Sequence, residues 1–505
     1  MKKTRFWLMA LLSLVTMAMG LASCSSSDDD KEQEPEVAAP QMLTFGFSAS
    51  DNAGVLSKDC QATVGADGKI EVVMPATVDK KSLVAQFTVN AGNKVTVAGV
   101  AQESGKTKND FSVPVDYIVS NANGTQNVKY TVTVTKQSDQ QWSELDVFAD
   151  TVSYSGMTMK VNPVDNVPYV AFKERNGQDK MWVMKLDNNH WTTVGGTGWS
   201  APVSGSEYAF DFDAAGTPWV AFSDNSGSGS NLKASVSAMK FADGKWNFVG
   251  EQAFSNTQAK YVALAALDGN KALVSSVNNS KSSPVVGRYG FVVSDYNGTA
   301  WSTAEHPNLT GKNLYACCMA NDNKAAYLLT IMRGEVDGVK YGHSVFKYEN
   351  GAWTALRSNY THPGASQTSI VCYGMTVSFD GQLYITTGDD ADNTGSYGVR
   401  LETYSNNEWT TCGGNILPLG FSITTHSQVR VAIAPDGTPY VIYIDESDNS
   451  YAKVIRLDSE TKQWTSAVAL GSEAAQDVNI AFTSTGIGYA SYLDKANHLH
   501  TFVLK

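Results

Sequence analysis

Basic residues are scarce in this chain of 505 residues. Lysine and arginine number 38 against 50 aspartates and glutamates, so the formal net charge at pH 7 is −12. No run of basic residues interrupts this acidic composition. A diffuse acidic surface attracts neither nucleic acid nor anionic lipid, and we therefore expect no nucleic-acid partner.

Cysteine is sparse as well, and the familiar catalytic motifs are missing. Apart from Cys24, five irregularly spaced cysteines fit neither a disulfide framework nor a CxxC zinc site. Neither G-x-S-x-G nor H-E-x-x-H occurs, so a serine-hydrolase elbow and a zincin lack support. Catalytic residues stay unknown, since sequence cannot reveal the carboxyl pair that glycoside hydrolysis needs. The acidic loop candidates are Glu335, Asp337, Asp445 and Glu446.

The first residues, 1–23, have the features of a secretory signal peptide. Lys2, Lys3 and Arg5 precede an apolar stretch that is too short and too early for a membrane span. The following "LASC" ends in Cys24 and resembles the lipobox of bacterial lipoproteins. This resemblance implies acylation of Cys24 and anchoring of the protein to outer-membrane lipid.

Residues 24–40 form an acidic segment that includes "SSSDDDKEQEPEVAAP". Its polar composition predicts a disordered tether. An acidic cluster directly after the lipidated cysteine resembles the export signal of Bacteroidetes surface lipoproteins, which implies display on the cell exterior. The alternative is a solubilising spacer on a periplasmic protein.

Residues 41–136 alternate apolar and polar residues in short runs such as "KIEVVMP" and "VKYTVTVTK". Turn residues separate the runs, and no window holds a helical period. This pattern predicts an Ig-like β-sandwich. The domain resembles the Ig-like modules that follow the tether in Bacteroidetes lipoproteins, where such modules often act as spacers.

A tryptophan then returns every 49–56 residues, usually after a hairpin turn. The seven positions are Trp142, Trp191, Trp246, Trp301, Trp353, Trp409 and Trp464. A second phrase, of the type "AGTPWVAF", recurs between them and joins two apolar strands. Each period therefore holds about four strands, as in a β-propeller blade. We expect each tryptophan to pack between adjacent blades rather than to stack on sugars.

The two ends of the repeat region complement each other. The first unit has only its Trp strand, "QQWSELDVF", and the last unit, ending at Lys505, has every strand except that one. Joining them completes a blade and removes two unpaired sheet edges. Residues 138–505 are thus predicted to form a seven-bladed β-propeller, and the whole chain is predicted to be all-β.

In propellers, one face collects the loops between second and third strands and those that leave the outer strand. Here these loops are polar and carry aromatic, arginine and histidine residues. Aromatic rings suit sugar C–H faces, and planar polar groups suit hydroxyls. The candidate ligand-binding residues are Trp199, Tyr208, Tyr341, Tyr360, Arg175, Arg333, His362 and His426. The alternative is that these aromatics only cap their loops.

The loop "DDADNTG" resembles the start of a calcium loop. Asp390, Asp392 and Thr394 alternate before Gly395, supplying hard oxygen ligands. Position twelve is Leu401 rather than the usual glutamate. Calcium is the only cofactor indicated, and solvated loop acids are the alternative.

The sequence therefore predicts a lipid-anchored outer-membrane protein whose propeller face binds an extracellular glycan or a host protein. This domain order resembles Bacteroidetes surface lipoproteins, many of which serve glycan capture or adhesion. One alternative is a carbohydrate-active enzyme, hydrolase or lyase, that works from the same face. Another is a non-catalytic scaffold in a surface complex. The sequence does not decide among them.

Overall fold

The computed structural model describes most of the chain after residue 38. The described residues are 39–56, 59–65, 67–74, 78–136, 141–149, 156–174, 177–226, 232–362, 368–389, 398–414, 417–418, 429–459 and 461–504. They form β-strands and two short 3-10 helices, Lys80–Ser82 and Pro307–Leu309, which confirms the all-β prediction. None of the described helices is long and apolar enough to cross a membrane. The signal peptide, Cys24 and nearly all of the tether lie outside the described residues.

The first ten strands belong to an N-terminal β-module. They are β1 Met42–Phe47, β2 Cys60–Val64, β3 Lys69–Met74, β4 Leu83–Val84, β5 Gln86–Val89, β6 Lys94–Val97, β7 Val100–Ala101, β8 Lys108–Asn109, β9 Val115–Ser120 and β10 Asn127–Lys136. Eight of them form one sheet, in which β10 runs parallel to β3, and β4 pairs with β8. Alternation places every second side chain of β3 in a core with Phe45, Phe47 and Tyr117.

Five consecutive β-sheets follow, which we call blades 1 to 5. Blade 1 is β12 Thr158–Val161, β13 Pro168–Lys173, β14 Met181–Asp187 and β15 His190–Thr193. Blade 2 is β16 Val203–Phe212, β17 Pro218–Asp224, β18 Ser235–Ala242 and β19 Lys245–Phe248. Blade 3 is β20 Ala259–Leu267, β21 Lys271–Asn278, β22 Phe291–Tyr296 and β23 Trp301–Glu305.

The next two blades carry small additions. Blade 4 is β24 Leu314–Asn321, β25 Ala326–Met332, β28 His343–Glu349 and β29 Ala352–Tyr360, with a hairpin of β26 Glu335–Val336 and β27 Val339–Lys340 inserted between its second and third strands. Blade 5 is β30 Thr368–Val377, β31 Leu383–Asp389, β32 Gly398–Ser405 and β33 Glu408–Thr411, with β34 Leu417–Pro418 added beside β32.

A seven-stranded closing sheet joins the two ends of the repeat region. Its members are β11 Trp142–Phe148, β35 Val429–Ile433, β36 Pro439–Asp445, β37 Tyr451–Arg456, β38 Val468–Phe482, β39 Gly488–Asp494 and β40 Leu499–Leu504. The long β38 pairs with β37 through its first half and with β39 through its second half. Strand β11 pairs with β40, from Trp142 opposite Leu504 to Phe148 opposite Leu499, as the sequence predicted.

The arrangement is a β-propeller. The first strands of the five blades contact one another in order, and β35 and β38 of the closing sheet complete the ring back to β12. Apolar cores fill the interfaces between neighbouring sheets. One unites Tyr169 and Met181 of blade 1 with Phe210 and Phe222 of blade 2. Five blades plus the closing sheet therefore surround one central axis.

The recurring tryptophans pack between neighbouring sheets, which confirms the sequence interpretation. The indole nitrogen of Trp246 donates a hydrogen bond to the carbonyl oxygen of Val194, at 2.8 Å. Trp301 repeats this bond with Val249 at 2.7 Å. Their rings are thus fixed by the preceding blade, and no ligand is needed to explain their recurrence.

Gly195, next to the Val194 carbonyl, leaves room for the Trp246 ring, and its substitution tests the packing between the blades. Gly195 has φ +76°, and a Cβ there would lie 2.8 Å from both Phe241 and Trp246. Gly196 has φ +83°, and a Cβ added to it would meet no atom within 4 Å. Both Ala variants bear the strain of positive φ, but only Gly195→Ala adds overpacking. We expect Gly195→Ala to lower the free energy of unfolding by about 1–3 kcal/mol more than Gly196→Ala. Equal urea midpoints for the two variants would contradict this packing.

A residue in the connection between blades also stacks on the next tryptophan. Trp199 stacks on Trp246 with ring centroids 4.0 Å apart, and Phe254 lies at the same distance from Trp301. His306 takes the corresponding place against Trp353, at 4.5 Å. These three residues complete the inter-blade packing.

The buried imidazole predicts a loss of stability in acid. His306 is fully buried, and burial lowers its pKa to about 4 from the ordinary 6.5. The unfolded chain therefore binds this proton more tightly, and stability falls as the pH drops from 6.5 to about 4. The loss from this site should reach about 3 kcal/mol. Urea unfolding across that range should show a smaller loss for His306→Leu than for the parent. Equal pH dependence of the two proteins would exclude His306 as the cause.

Candidate functional site

One end of the ring carries the connections from second to third strands, together with those leading into the first strand of the next sheet. We call this end the upper face, and the opposite end, with the connections from first to second strands, the lower face. Two described upper-face connections are long, residues 279–290 of blade 3 and residues 333–342 of blade 4. They adjoin the beginnings of β20 and β24, next to the central axis.

Tyrosine rings and arginines from these segments contact one another. The Arg333 guanidinium lies 4.0 Å from the ring centroid of Tyr289 and 5.8 Å from that of Tyr315. The Tyr315 ring lies 6.0 Å from Tyr261 and meets Tyr341 edge-on at 6.5 Å. We call these five residues the tyrosine–arginine platform.

Local backbone geometry explains how two first-strand tyrosines reach the platform. The pairing of β20 with β21 shifts between Lys260 and Ala263, and Tyr261 inside this bulge has φ +54°. The pairing of β24 shifts in the same way around Tyr315. A bulge breaks the strict alternation of a strand and re-aims a side chain.

The inserted hairpin positions the other two blade 4 members of the platform. Asp337 and Gly338 both have positive φ, as a two-residue Asp-Gly hairpin turn requires. Arg333 and Tyr341 flank the hairpin on its two sides. The amide of Asn359 holds the hairpin by donating to the carbonyl of Val336 at 2.7 Å. The platform is thus braced from below by β29.

The platform continues to the central axis. Tyr261 interacts electrostatically with Tyr373 of blade 5, and Tyr373 does so with Arg430 of the closing sheet. Arg430 also interacts with Tyr208 of blade 2, and its strand β35 is one of the strands that contact one another around the axis. Burial raises the pKa of Tyr261 to about 12 and that of Tyr373 well above its ordinary value. These phenols stay protonated at neutral pH, and each can donate or accept a hydrogen bond.

A buried carboxyl accompanies Arg430. Asp477 is fully buried and accepts hydrogen bonds from the backbone N–H of Met157, at 2.7 Å, and of Val478, at 2.8 Å. Its carboxyl lies 4.0 Å from the Arg430 guanidinium. Burial raises the pKa of Asp477 to about 6, although Arg430 acts in the opposite direction. The axis therefore holds a permanent cation beside an acid that titrates near neutrality.

The lower end of the axis is braced by a separate polar network. Asp211 of blade 2 pairs with Lys160 of blade 1 at 2.6 Å. Its other carboxylate oxygen accepts from the backbone N–H of Ala266 in blade 3 and from the amide of Asn321 in blade 4. This network ties four blades together at the lower end of the axis.

The structure divides the predicted ligand-binding residues into groups. Arg333 and Tyr341 meet in the platform. Trp199 is occupied by its stack on Trp246, and the Tyr208 hydroxyl is held by the carbonyl oxygens of Gly156 and Ala171. The remaining predicted residues are Tyr360 and His362, described next, and Arg175 and His426, which lie outside the described residues.

Tyr360 and His362 belong to a buried ion-pair cluster between blades 4 and 5. The Arg357 guanidinium makes two hydrogen bonds to Glu402, at 2.8 and 3.0 Å, and His362 approaches the same carboxylate at 3.2 Å. Arg357 also lies 4.3 Å from the ring centroid of Tyr360. Burial opposes ionisation of Glu402, but the bonds from His362 and Arg357 prevail and lower its pKa to about 2. The buried His343 adjoins this cluster, with its imidazole 3.0 Å from the Arg357 guanidinium.

The candidate catalytic and metal residues do not converge in the described part of the chain. Glu335 and Asp337 are exposed on the hairpin, and Glu446 is exposed at the end of β36. Asp445 binds Lys453 at 2.8 Å. Among the described residues no group of three His, Cys, Asp or Glu side chains is arranged to hold a metal ion. The calcium candidates Asp390, Asp392 and Thr394 lie outside the described residues.

A groove opens at the lower face. A groove of about 510 Å³ between blades 1 and 2 is lined by Tyr169, Lys185, Phe241 and the turns after β12 and β16. It shares no residue with the platform. The groove and the platform thus lie at opposite ends of the propeller, so variants in one serve as controls for the other.

Three platform residues were missed by the sequence reasoning: Tyr261, Tyr289 and Tyr315. Tyr261 and Tyr315 stand at the beginnings of apolar first strands, where alternation predicts burial. The position of these two tyrosines directly after polar connections is the sequence signal that could have identified them. Tyr289 follows Arg288 in "GRYG", and this pair already placed a ring and a cation in an upper-face loop.

Comparison with known proteins gives one matching family model, over part of the chain, and several distantly similar solved structures. Residues 56–134 match the family model described as "SGBP, N-terminal". No curated protein matches the chain. A polysaccharide lyase of family PL25, an ulvan lyase, is 10% identical with a TM-score of 0.44, covering 72% of this chain and 96% of its own.

Two further solved structures are similarly distant. The Aleuria aurantia lectin is 14% identical with a TM-score of 0.36, covering 59% of this chain and 91% of its own. An alpha-L-arabinanase from Penicillium chrysogenum is 9% identical with a TM-score of 0.36, covering 59% and 92%. Similarities at these levels say nothing of ligand or activity.

Proposed function

We propose that this chain is a glycan-binding protein that holds its ligand on the tyrosine–arginine platform of the upper face. The single observation that carries the proposal is the contact of Arg333 with Tyr289 and Tyr315 on the upper face. Rings there offer apolar faces to sugar C–H groups, and the guanidinium and phenols offer hydrogen bonds.

The family match supports this proposal from a different part of the chain. The matched family is that of the surface glycan-binding proteins, and the match covers the N-terminal module. A spacer followed by a binding domain is a reasonable order for a protein that must reach a polymer outside the cell. The match concerns residues 56–134 only, so the platform stands on its own geometry.

The architecture and location complete the proposal. We take the closing sheet as two blades that share β38, giving seven blades over residues 138–505, and the module over residues 41–136 as an Ig-like sandwich. We take the signal peptide as residues 1–23, with acylation of Cys24 and an acidic tether over residues 24–40. In this proposal the platform faces the cell exterior and the chain is held to outer-membrane lipid.

A glycan-array screen of the full chain without its signal peptide tests the function. We expect binding to at least one glycan class, with a loss of about tenfold or more in affinity on Tyr315→Ala. Phe379→Ala is the matched control, since Phe379 is 53% exposed on the lower face. Product analysis of the bound glycan would reveal turnover. Absence of binding across the array, or equal losses for both variants, would refute a glycan site on the platform.

A further inference from the structure

We infer that the glycan held by the upper face is acidic, and that Arg333 and Arg430 contact its carboxylate or sulfate groups. This inference rests on the proposed glycan-binding function and adds the chemical class of the ligand. It is drawn from the placement of cations and donors along the path from the rim of the face to the central axis.

The rim of the path carries two exposed arginines around one ring. Arg288 lies 4.7 Å from the ring centroid of Tyr289, and Arg333 lies 4.0 Å from it. Arg288 bonds to the amide oxygen of Asn279, whereas Arg333 contacts rings. Within the described residues neither guanidinium is paired with a carboxylate. A ring leaves the in-plane N–H groups of a guanidinium directed outward, where an anion can accept them.

The inner end of the path carries Arg430. Arg430 donates to the carbonyl oxygen of Val429 at 2.9 Å, and it interacts electrostatically with Tyr208, Tyr373 and Asp477. The distance to Asp477 is 4.0 Å, longer than a charge-assisted hydrogen bond. Asp477 is meanwhile fixed by two backbone N–H groups. A ligand anion that reaches the axis from the upper face would add a contact to Arg430 beside those that it already makes.

The balance of donors and acceptors distinguishes acidic from neutral sugars. Arginine has only donors, whereas the protonated phenols of Tyr261 and Tyr373 can donate or accept, so the arginines set the excess of donors along the path. Sugar hydroxyls donate as well as accept, so a neutral glycan needs protein acceptors too. Carboxylates and sulfates mainly accept. A donor-rich path therefore fits an acceptor-rich, anionic ligand.

Of the carboxylates near the path, one is bonded to other protein groups and two are exposed. Glu207 is held by Lys260, at 3.2 Å, and by the backbone N–H of Tyr261. Glu335 and Asp337 are exposed on the hairpin and oppose an anion. The chain as a whole carries −12, so general attraction does not bring polyanions to it. Binding of an acidic glycan must then depend on the local arginines, which makes their removal decisive.

The test measures the affinity of the full chain for two matched pairs of polymers. One pair is polygalacturonate and its fully methyl-esterified form, and the other is dextran sulfate and dextran. Each pair keeps the backbone sugars and changes only the charge, so the two pairs separate carboxylate from sulfate recognition. The variants are Arg333→Gln and Arg430→Gln, with Lys185→Gln in the lower-face groove as the control.

We expect at least one charged polymer to bind and its neutral partner to bind about tenfold or more weakly. Arg333→Gln and Arg430→Gln should each weaken that binding about tenfold or more, with Lys185→Gln unchanged. Because Arg333 is exposed, its variant tests the inference even if Arg430→Gln unfolds. Equal binding of charged and neutral polymers, or arginine variants that bind like the parent, would overturn the inference but keep the proposed function. Failure of these polymers and of every glycan on the array would overturn both.

Discussion

A chain that begins at residue 150, and so lacks β11, is expected to lose its folded monomeric state. Strand β11 pairs with β40 along its length and packs Leu145 and Phe148 against the core shared with blade 1. Its Asp146 also accepts a hydrogen bond from the backbone N–H of Trp191 at 3.2 Å. Removal exposes the edge of β40 and this core together, which should cost a large part of a stability of about 5–15 kcal/mol.

The control for this deletion is a chain that begins at residue 139. It lacks the N-terminal module but keeps β11, so it should remain a folded monomer. Thermal unfolding and light scattering would compare the two fragments with the full chain. A cooperative, monomeric fragment beginning at residue 150 would show that β11 is not the closure of the ring. A collapse of both fragments would instead assign the stability to the N-terminal module.

Glu402→Gln is expected to lower the free energy of unfolding by about 3–5 kcal/mol. The side chain of Glu402 is 4% exposed and receives two hydrogen bonds from Arg357, whose own side chain is 8% exposed. The amide cannot neutralise the guanidinium, which would stay buried without its counter-charge. Removing one partner of a buried ion pair has this magnitude because the remaining charge is uncompensated. Urea unfolding at neutral pH measures the loss.

Two comparisons make the Glu402 prediction specific. Glu349 forms a more exposed pair with Lys347, at 3.0 Å, so Glu349→Gln should change stability by less than about 1 kcal/mol. The folded-state pKa of Glu402 is about 2 against an ordinary 4.5, so its contribution is present above pH 4.5 and is lost as the pH falls toward 2. The difference between parent and Glu402→Gln should shrink over that interval. A small difference at neutral pH would mean that the cluster does not stabilise the interface.

The repeat of the propeller could be predicted from sequence because it depends on local signals. Each Trp strand follows a hairpin turn, and each ring packs against the preceding blade. The spacing of the tryptophans was therefore enough to predict the repeat. The pairing of β11 with β40 followed from counting strands at the two ends. The strands of the N-terminal β-module could likewise be predicted from the alternation of apolar and polar residues. These features need no knowledge of distant contacts.

The site was predicted only in part, because its residues depend on such contacts. Arg333 and Tyr341 were candidates from sequence, since a polar loop between apolar strands is visible there. Tyr261 and Tyr315 were missed because bulges, which sequence does not display, turn them out of the strand alternation. From sequence, Tyr360 is typical of an exposed loop aromatic. Its neighbour Arg357 binds Glu402, which lies 45 residues further along the chain, and sequence does not reveal this contact.

The most direct test of glycan binding on the platform is oxidative footprinting of the full chain with and without its bound glycan. We expect the ligand to protect Tyr261, Tyr315 and Tyr341 from oxidation. Oxidation of Tyr169 and Phe241, which line the groove at the lower face, should stay unchanged. Protection of the groove with an unprotected platform would contradict a platform site and move the ligand to the other end of the propeller.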